Sequence, residues 1–105
     1  MIKIKNSGVK LTELCPQLVL VLCGTIQDIY KEHGSKDMVI TSANDSKHSS
    51  GSKHYRGDAV DLRVWNLDNI DKTVDDIRQA IGMDFDVINE DDHIHLEYHP
   101  KRRNL

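Results

Sequence analysis

The chain has 105 residues, of which 38% are hydrophobic and 30% are charged, and its formal net charge is −3. These values predict a single globular domain over residues 1–105 and exclude a disordered chain or a pair of ordinary domains. The negative balance gives no general attraction to nucleic acids or anionic membranes, so we expect neither as a partner. We expect the basic cluster Lys101 to Arg103 to be a solvated tail.

The first part of the chain predicts a short strand, a helix and a second strand. Met1 to Lys5 alternates apolar and charged residues, which suits a strand or an ordered arm. A helix is predicted to begin near Pro16, a residue favoured in the first turn, and to stop at Gly34. Met38 to Thr41 is a short apolar run with β-branched residues, and we expect a strand there.

The second part of the chain predicts a long loop, a helix and three strands. Residues Ser42 to Gly57 are rich in Ser, Asn, Asp, Lys and Gly, which indicates the loop. The predicted strand Ala59 to Val64 follows, and then a helix over Asp71 to Ile81. A hairpin joined by residues 89–92 completes the chain, with strands at 85–88 and 93–98. This order predicts an α+β domain with a mostly antiparallel sheet and two helices packed on one face.

The cysteines and the apolar segments indicate the cellular compartment in which we expect the chain to be made. Cys15 and Cys23 lie eight residues apart in the predicted helix, a spacing that matches neither a zinc motif nor a redox motif. We interpret both as small buried hydrophobic residues in a reducing compartment. The apolar run Leu18 to Cys23 is too short to span a bilayer, and the first residues lack the pattern of a signal peptide. We therefore expect synthesis in the cytoplasm.

Two predicted strands combine an apolar face with a polar face, because successive strand side chains point to opposite sides. The apolar faces consist of Val60, Leu62 and Val64 in one strand and of Ile94, Leu96 and Tyr98 in the other. The opposite faces consist of Ala59, Asp61 and Arg63 and of His93, His95 and Glu97. If both strands belong to one sheet, Asp61 and His95 can meet. The simpler interpretation is a solvated sheet face, on which Arg63 and Glu97 form a cross-strand ion pair.

A second imidazole can join Asp61 and His95 from the preceding loop. His54 lies seven residues before Asp61, and Gly57 between them permits the loop to fold back over the strand. Two imidazoles and one carboxylate would make a three-ligand tetrahedral zinc site with a fourth position open to water, which is typical of catalytic zinc. The imidazole ligands favour zinc, although the spacing alone leaves other divalent metals open.

Two ordered motifs carry a resemblance to a known family. The segment Ser52 to Asp61, SKHYRGDAVD, matches the pattern S-x-H-x-x-G-x-A-x-D at every fixed position, and the segment Asp92 to His95, DHIH, matches D-x-x-H and H-x-H. Together they resemble the M15 zinc peptidases. These include D-Ala-D-Ala carboxypeptidases and dipeptidases, phage L-alanyl-D-glutamate endolysins and the related zinc domain of hedgehog proteins. The resemblance extends roughly from Val39 to Pro100 and is greatest to small phage-type members.

The resemblance implies a metal site and a base. It implies that His54, Asp61 and His95 are the zinc ligands. It also implies that Asp92, three residues before the last ligand, is the general base that takes a proton from water and then protonates the leaving amine. Glu90 is the competing candidate for the base. The other interpretation of Glu90 is a solvated carboxylate of the hairpin.

Three further residues are candidates for holding the substrate carboxylate or the developing oxyanion: His48, Arg56 and His93. Relatives carry an arginine soon after the strand that ends in Thr-Ser, whereas the segment Ser42 to Asp45 reads SAND here. The family arginine therefore has no matching position, and Lys47, His48 and Arg56 are candidates to replace it. We expect His99 to be a surface residue.

The function implied by the resemblance is hydrolysis of short peptide bonds that involve D-amino acids in bacterial cell-wall peptidoglycan. We expect a monomeric lysin of a phage or prophage, released to the wall by a separate export or lysis partner. The alternative is a non-catalytic zinc-bearing module of the same fold that binds a peptide or a partner. The retained Asp92 argues against that alternative, because a binding module needs no base.

Overall fold

The computed structural model describes residues 1–9, 11, 14–43 and 58–100. Within these residues, the strands are β1 (Ile2–Ile4), β2 (Met38–Ser42), β3 (Ala59–Arg63), β4 (Phe85–Asn89) and β5 (His93–Tyr98). The helices are α1 (Pro16–Val21), a π-helical segment (Leu22–Ile26), α2 (Gln27–Glu32) and α3 (Ile70–Ile81). The first three form one continuous helical run. The predicted strands and the predicted second helix are therefore confirmed to within a residue or two at their ends.

The strands of the described chain form one mixed sheet in the order β1-β2-β3-β5-β4. The neighbours β2 and β3, β3 and β5, and β4 and β5 are antiparallel, whereas β1 pairs with β2 in parallel at one edge. The predicted α+β class with a mostly antiparallel sheet is thus confirmed. The central strand β3 and its neighbour β5 contain the predicted ligands Asp61 and His95.

The helices cover one face of this sheet. The buried residues of the helical run and of α3 belong to the same hydrophobic cluster as the inward side chains of β2, β3 and β5. The strand members include Ile40, Val60, Leu62, Ile94 and Leu96, all essentially inaccessible to solvent. Because strand side chains alternate, this packing leaves the odd-numbered residues of β3 and β5 on the opposite face.

The helical run differs from the uninterrupted α-helix that the sequence predicts. Leu22 to Ile26 adopts a π-helical conformation between two α-helical segments. Leu22 and Ile26 are both buried, whereas Cys23 is exposed and Cys15 is half-buried. The prediction that both cysteines are buried is therefore wrong, because Cys23 lies at the protein surface and Cys15 is only partly covered. Within the described residues, no helix has the length and apolar composition that crossing a bilayer requires.

The helical run is also tied to the end of β3 by a buried hydrogen bond. The Tyr30 hydroxyl donates to the backbone carbonyl of Arg63 over 2.8 Å, and the tyrosine is 1% exposed. Burial raises the pKa of the Tyr30 hydroxyl above its usual range, which keeps the donor protonated. This contact fixes β3 two residues beyond Asp61.

We expect Tyr30→Phe to lower the free energy of unfolding by about 1 to 2 kcal/mol, because the Arg63 carbonyl loses its buried donor. Chemical denaturation of the metal-free protein measures this difference. The matched control is Tyr98→Phe, since the half-buried Tyr98 packs its ring against Phe85 at a centroid distance of 5.3 Å and keeps that contact as phenylalanine. Equal losses in both variants would contradict the role of the Tyr30 hydroxyl.

Candidate metal centre

The structure describes part of the predicted site. The predicted residues within the described chain are Asp61, Asp92, His93 and His95. The predicted zinc ligand His54 and the substrate or oxyanion candidates His48 and Arg56 lie outside the described residues.

Asp61 and His95 meet across the central strand pair. They are direct partners in the antiparallel register of β3 and β5, and both side chains lie on the face opposite the helices. Asp61 Oδ1 lies 3.0 Å from His95 Nδ1. Two ligand atoms that each lie about 2.0 to 2.2 Å from a tetrahedral zinc ion are about 3.3 to 3.6 Å apart. The carboxylate and the imidazole therefore already have nearly the spacing that a shared metal ion requires.

Glu97 contacts the second ring nitrogen of His95. Its Oε1 lies 3.2 Å from His95 Nε2, and its side chain is only 19% exposed. A histidine that binds a metal through one nitrogen commonly donates its second N–H to a carboxylate, which fixes the tautomer and the ring orientation. Glu97 has the position of such a supporting carboxylate, with Nδ1 left to face Asp61.

Glu97 contacts His95 and does not form the cross-strand ion pair with Arg63. The register places Glu97 opposite Ala59 and Arg63 opposite His93, so the two charged groups lie at different ends of the strand pair. The Arg63 guanidinium lies over the Trp65 ring, 3.9 Å from its centroid. The alternative of a cross-strand ion pair between Arg63 and Glu97 is therefore wrong. Sequence alternation placed Glu97 on the correct face, but its partner depends on the register.

Asp92 is connected to the same face of the sheet through a contact with the adjacent residue His93. Its Oδ1 lies 2.6 Å from His93 Nδ1, and His93 Nε2 lies 3.6 Å from Asp61 Oδ1. Asp92 belongs to the hairpin turn rather than to β5, so strand alternation does not direct it away from the site. Its side chain is 86% exposed. The competing candidate Glu90 is also exposed, and its backbone N–H donates to the His93 carbonyl in the same turn.

Carboxylates and imidazoles thus alternate along this face of the sheet. We call this series the acid–imidazole row; in spatial order it consists of Asp92, His93, Asp61, His95, Glu97, His99 and Asp86. Neighbouring groups in the row are separated by 2.6 to 4.0 Å. The row brings the predicted base, one oxyanion candidate and two predicted ligands onto one surface.

One end of the row holds a group that the sequence analysis missed. Asp86, Glu97 and His99 each offer a ligand atom, these atoms lie within 4.8 Å of one another, and the group could hold a metal ion. His99 is about half exposed, as a surface residue should be, but its imidazole contacts the Asp86 carboxylate at 3.0 Å. The alternation of β4 and β5 places Asp86 and Glu97 on the same face. No local motif, however, links them to His99.

The two carboxylates beside His95 change its protonation. The contact with Asp61 is the main cause that raises the pKa of His95 to about 8, against burial, which lowers it; Glu97 adds to the increase. The imidazolium donates from both ring nitrogens and so satisfies both carboxylates at once. The same two carboxylates that favour a proton on His95 would favour a metal cation in contact with Nδ1 once the proton has left.

Comparison of the chain with protein-family models, with curated proteins and with solved structures yields no match. The resemblance to the M15 zinc peptidases therefore depends on the two motifs themselves.

The raised pKa makes the stability of the metal-free protein dependent on pH. Because the folded-state pKa of His95 is about 8 and its ordinary value is 6.5, the stabilisation is complete below pH 6.5 and disappears as the pH rises through 8. Its size is about 2 kcal/mol. NMR titration of the His95 ring protons should give a midpoint near 8, and Asp61→Asn should lower that midpoint towards the ordinary value.

The control for this titration is Asp75→Asn, which removes an exposed carboxylate on α3. It should leave the His95 midpoint unchanged. A His95 midpoint that is the same in the wild type and in Asp61→Asn would contradict the contact between the two side chains.

Proposed function

We propose that the protein is a zinc metallopeptidase that hydrolyses short peptide bonds involving D-amino acids in bacterial cell-wall peptidoglycan, as a lysin of a phage or prophage does. The observation that carries the proposal is the 3.0 Å contact between Asp61 and His95. Asp61 and His95 are 34 positions apart and belong to two different motifs, and the resemblance to the M15 zinc peptidases implies that both are ligands of one ion. The fold thus brings into contact two residues that the two motifs, far apart in the sequence, assign to one site.

The proposed metal ligands are Asp61, His95 and His54. The described pair fits a zinc ion in donor type and spacing, and Glu97 fits the carboxylate that orients a ligating histidine. Zinc, when bound, supplies Lewis-acid activation of water and of the peptide carbonyl. The chain's own contribution is to hold the ligands in place and to move protons.

Asp92 is the proposed base. Its exposed carboxylate can take a proton from the attacking water and deliver it to the leaving amine, which requires access to solvent and to substrate. The 2.6 Å contact with His93 Nδ1 orients that carboxylate, while His93 Nε2 faces Asp61. His93 is therefore proposed to position Asp92 and to stabilise developing negative charge on the substrate.

The recognition of substrate is proposed to involve His48 and Arg56, cationic or hydrogen-bonding groups of the segment that also contains His54. A short peptide with a free carboxylate would suit such groups, because guanidinium and carboxylate form paired, charge-assisted hydrogen bonds. The alternative, a zinc-bearing module that binds a peptide or partner without hydrolysis, needs the ligands but not Asp92.

The first expected outcome concerns metal content. Protein purified without chelator should retain about one equivalent of tightly bound zinc, as a three-ligand site requires, and His54→Ala should lose it. Elemental analysis of the folded proteins measures the content. Asp91→Asn serves as the control, because it removes one carboxylate of the same hairpin outside the proposed ligand set. Wild-type protein without bound metal would contradict the proposal.

The second expected outcome concerns cleavage. Asp92→Asn should keep its zinc and its fold and should digest purified peptidoglycan about 10²- to 10⁴-fold more slowly than the wild type. Mass spectrometry of the released fragments measures the rate and identifies the bond, whether L-Ala–D-Glu, D-Ala–D-Ala or a cross-link.

Glu90→Gln is the matched control for Asp92→Asn, since both replace an acid of the hairpin turn by its amide. We expect Glu90→Gln to cleave at the wild-type rate. The opposite pattern would make Glu90 the base. Zinc-loaded wild-type protein that leaves every peptide bond intact would favour the binding module over the peptidase.

A further inference from the structure

Arg63, the last residue of β3, lies on the same face of the sheet as the proposed metal ligands. In the register of β3 and β5 it is opposite His93, and it is two residues along β3 from Asp61, the partner of His95. Its side chain is half-buried. The strand pair therefore places a guanidinium beside the proposed metal centre.

Trp65 holds this guanidinium in a defined position. The central carbon of the Arg63 guanidinium lies 3.9 Å from the centroid of the Trp65 ring, and the ring itself is 75% exposed. Val64 between them is buried in the core. Stacking on an aromatic ring covers one flat face of a guanidinium, whereas its N–H groups lie in its plane and stay available to donate.

These N–H donors have no acidic partner within the part of the chain that the structure describes. Asp61 contacts His93 and His95, and Glu97 contacts His95, so neither carboxylate of the strand pair neutralises Arg63. The contact of the Arg63 side chain is the one with the Trp65 ring. A guanidinium has five N–H donors, and those of Arg63 can therefore bind an acceptor from outside the chain.

The charges on this face favour an anion at Arg63. Among the outward-facing residues of β3 and β5, Asp61 and Glu97 are acids, and Arg63 is the one side chain whose charge is always positive. Because like charges repel, a substrate that carries a carboxylate would keep that group away from the two acids and close to the guanidinium.

We propose that Arg63, held in place by Trp65, binds a carboxylate of the peptide substrate. Guanidinium and carboxylate form paired, charge-assisted hydrogen bonds, and a side chain that is already ordered loses less entropy on binding. Arg63 is then a substrate-binding residue, and Trp65 is a positioning residue that acts through it. That the carboxylate belongs to a cell-wall peptide rests on the proposed function.

The strand geometry limits which carboxylate can reach Arg63. Two residues along a strand correspond to about 7 Å, and one residue of a peptide spans at most about 3.6 Å. A carboxylate at Arg63 therefore lies roughly two or three residues from a peptide bond at Asp61 and His95. The α-carboxylate of D-Glu and the C-terminal carboxylate of D-Ala share this chemistry, and the experiment distinguishes between them.

The test compares matched peptides on the Asp92→Asn protein as purified, in which cleavage is expected to be slow. The probe is the N-acetylated tetrapeptide L-Ala–γ-D-Glu–L-Lys–D-Ala, and calorimetry measures its affinity. Two further peptides carry an amide in place of either the C-terminal carboxylate or the D-Glu α-carboxylate. We expect one amide to bind about 10- to 100-fold more weakly than the probe, because it loses the charged hydrogen bonds. That amide identifies the carboxylate.

Substitutions at Arg63 in the same protein should remove this preference for the acid over the amide. Arg63→Gln should abolish it, and the fold should persist because Tyr30 binds the backbone carbonyl of residue 63 rather than its side chain. Arg63→Lys should retain only part of it, since an ammonium lacks the paired donors of a guanidinium. Affinity for the weaker-binding amide should stay nearly constant, which a general loss of structure would not allow.

Substitutions at Trp65 test the positioning role. Trp65→Ala should reduce the preference for the acid about two- to fivefold, because the guanidinium loses the ring on which it stacks. Trp65→Phe should restore most of the preference, since it returns an aromatic face. Circular dichroism confirms that each variant is folded.

Lys72→Gln is the matched control, because it removes one positive charge from an exposed position on α3, on the side of the sheet that the helices cover. It should bind all three peptides as the parent does. Equal preference for the acid in the parent and in Arg63→Gln would overturn the proposal. So would equal affinity of the parent for all three peptides, or no binding of any of them.

Failure of this proposal is distinguishable from failure of the peptidase. Wild-type protein that digests peptidoglycan while Arg63→Gln keeps the full preference would refute the role of Arg63 and support the peptidase. Conversely, intact peptidoglycan together with a preference for the acid that depends on Arg63 would refute the peptidase and support the carboxylate site.

Discussion

The register of β3 against β5 is the constraint on which the rest of the site depends. It places Asp61 directly opposite His95 and leaves both on the face that the helices do not cover. A slip of one residue in either strand would turn that strand's polar side chains into the core. Burial of Leu62 and Ile94, which are also register partners, prevents such a slip. The hydrophobic core therefore sets the geometry of the polar face, although the two share no side chain.

Much of this fold can be predicted from the sequence because the informative patterns are local. Strict alternation in β3 and β5 identifies both strands and both faces, and the apolar spacing in α3 identifies that helix. The π-helical segment is different, because Leu22 and Ile26 are four residues apart, a spacing compatible with one continuous α-helix. The parallel pairing of β1 with β2 is also beyond local patterns, since three residues contain no information on their partner.

The candidate site also has features that local sequence patterns predict and features that they do not. Alternation places Asp61 and His95 on one face, so that they can meet if both strands lie in one sheet, and the register then brings them into contact. The partner of Glu97 does not follow, because a strand pattern gives the face of a residue but not its neighbour across or along the sheet. His99 is further from prediction, since a backbone hydrogen bond to Asp84 after the end of β5 positions it.

The unequal exposure of Asp92 and Glu97 supports the different roles that we propose for them. Asp92 is 86% exposed and contacts the row through His93, whereas Glu97 is 19% exposed and contacts His95 directly. A group that exchanges protons with water and substrate must be accessible, and a group that orients a ligand must be held in place. Exchanging the roles would require a buried base and a mobile support. In the proposed function, proton transfer would therefore occur at the hairpin turn, and Glu97 would support His95 on the other side of the Asp61–His95 pair.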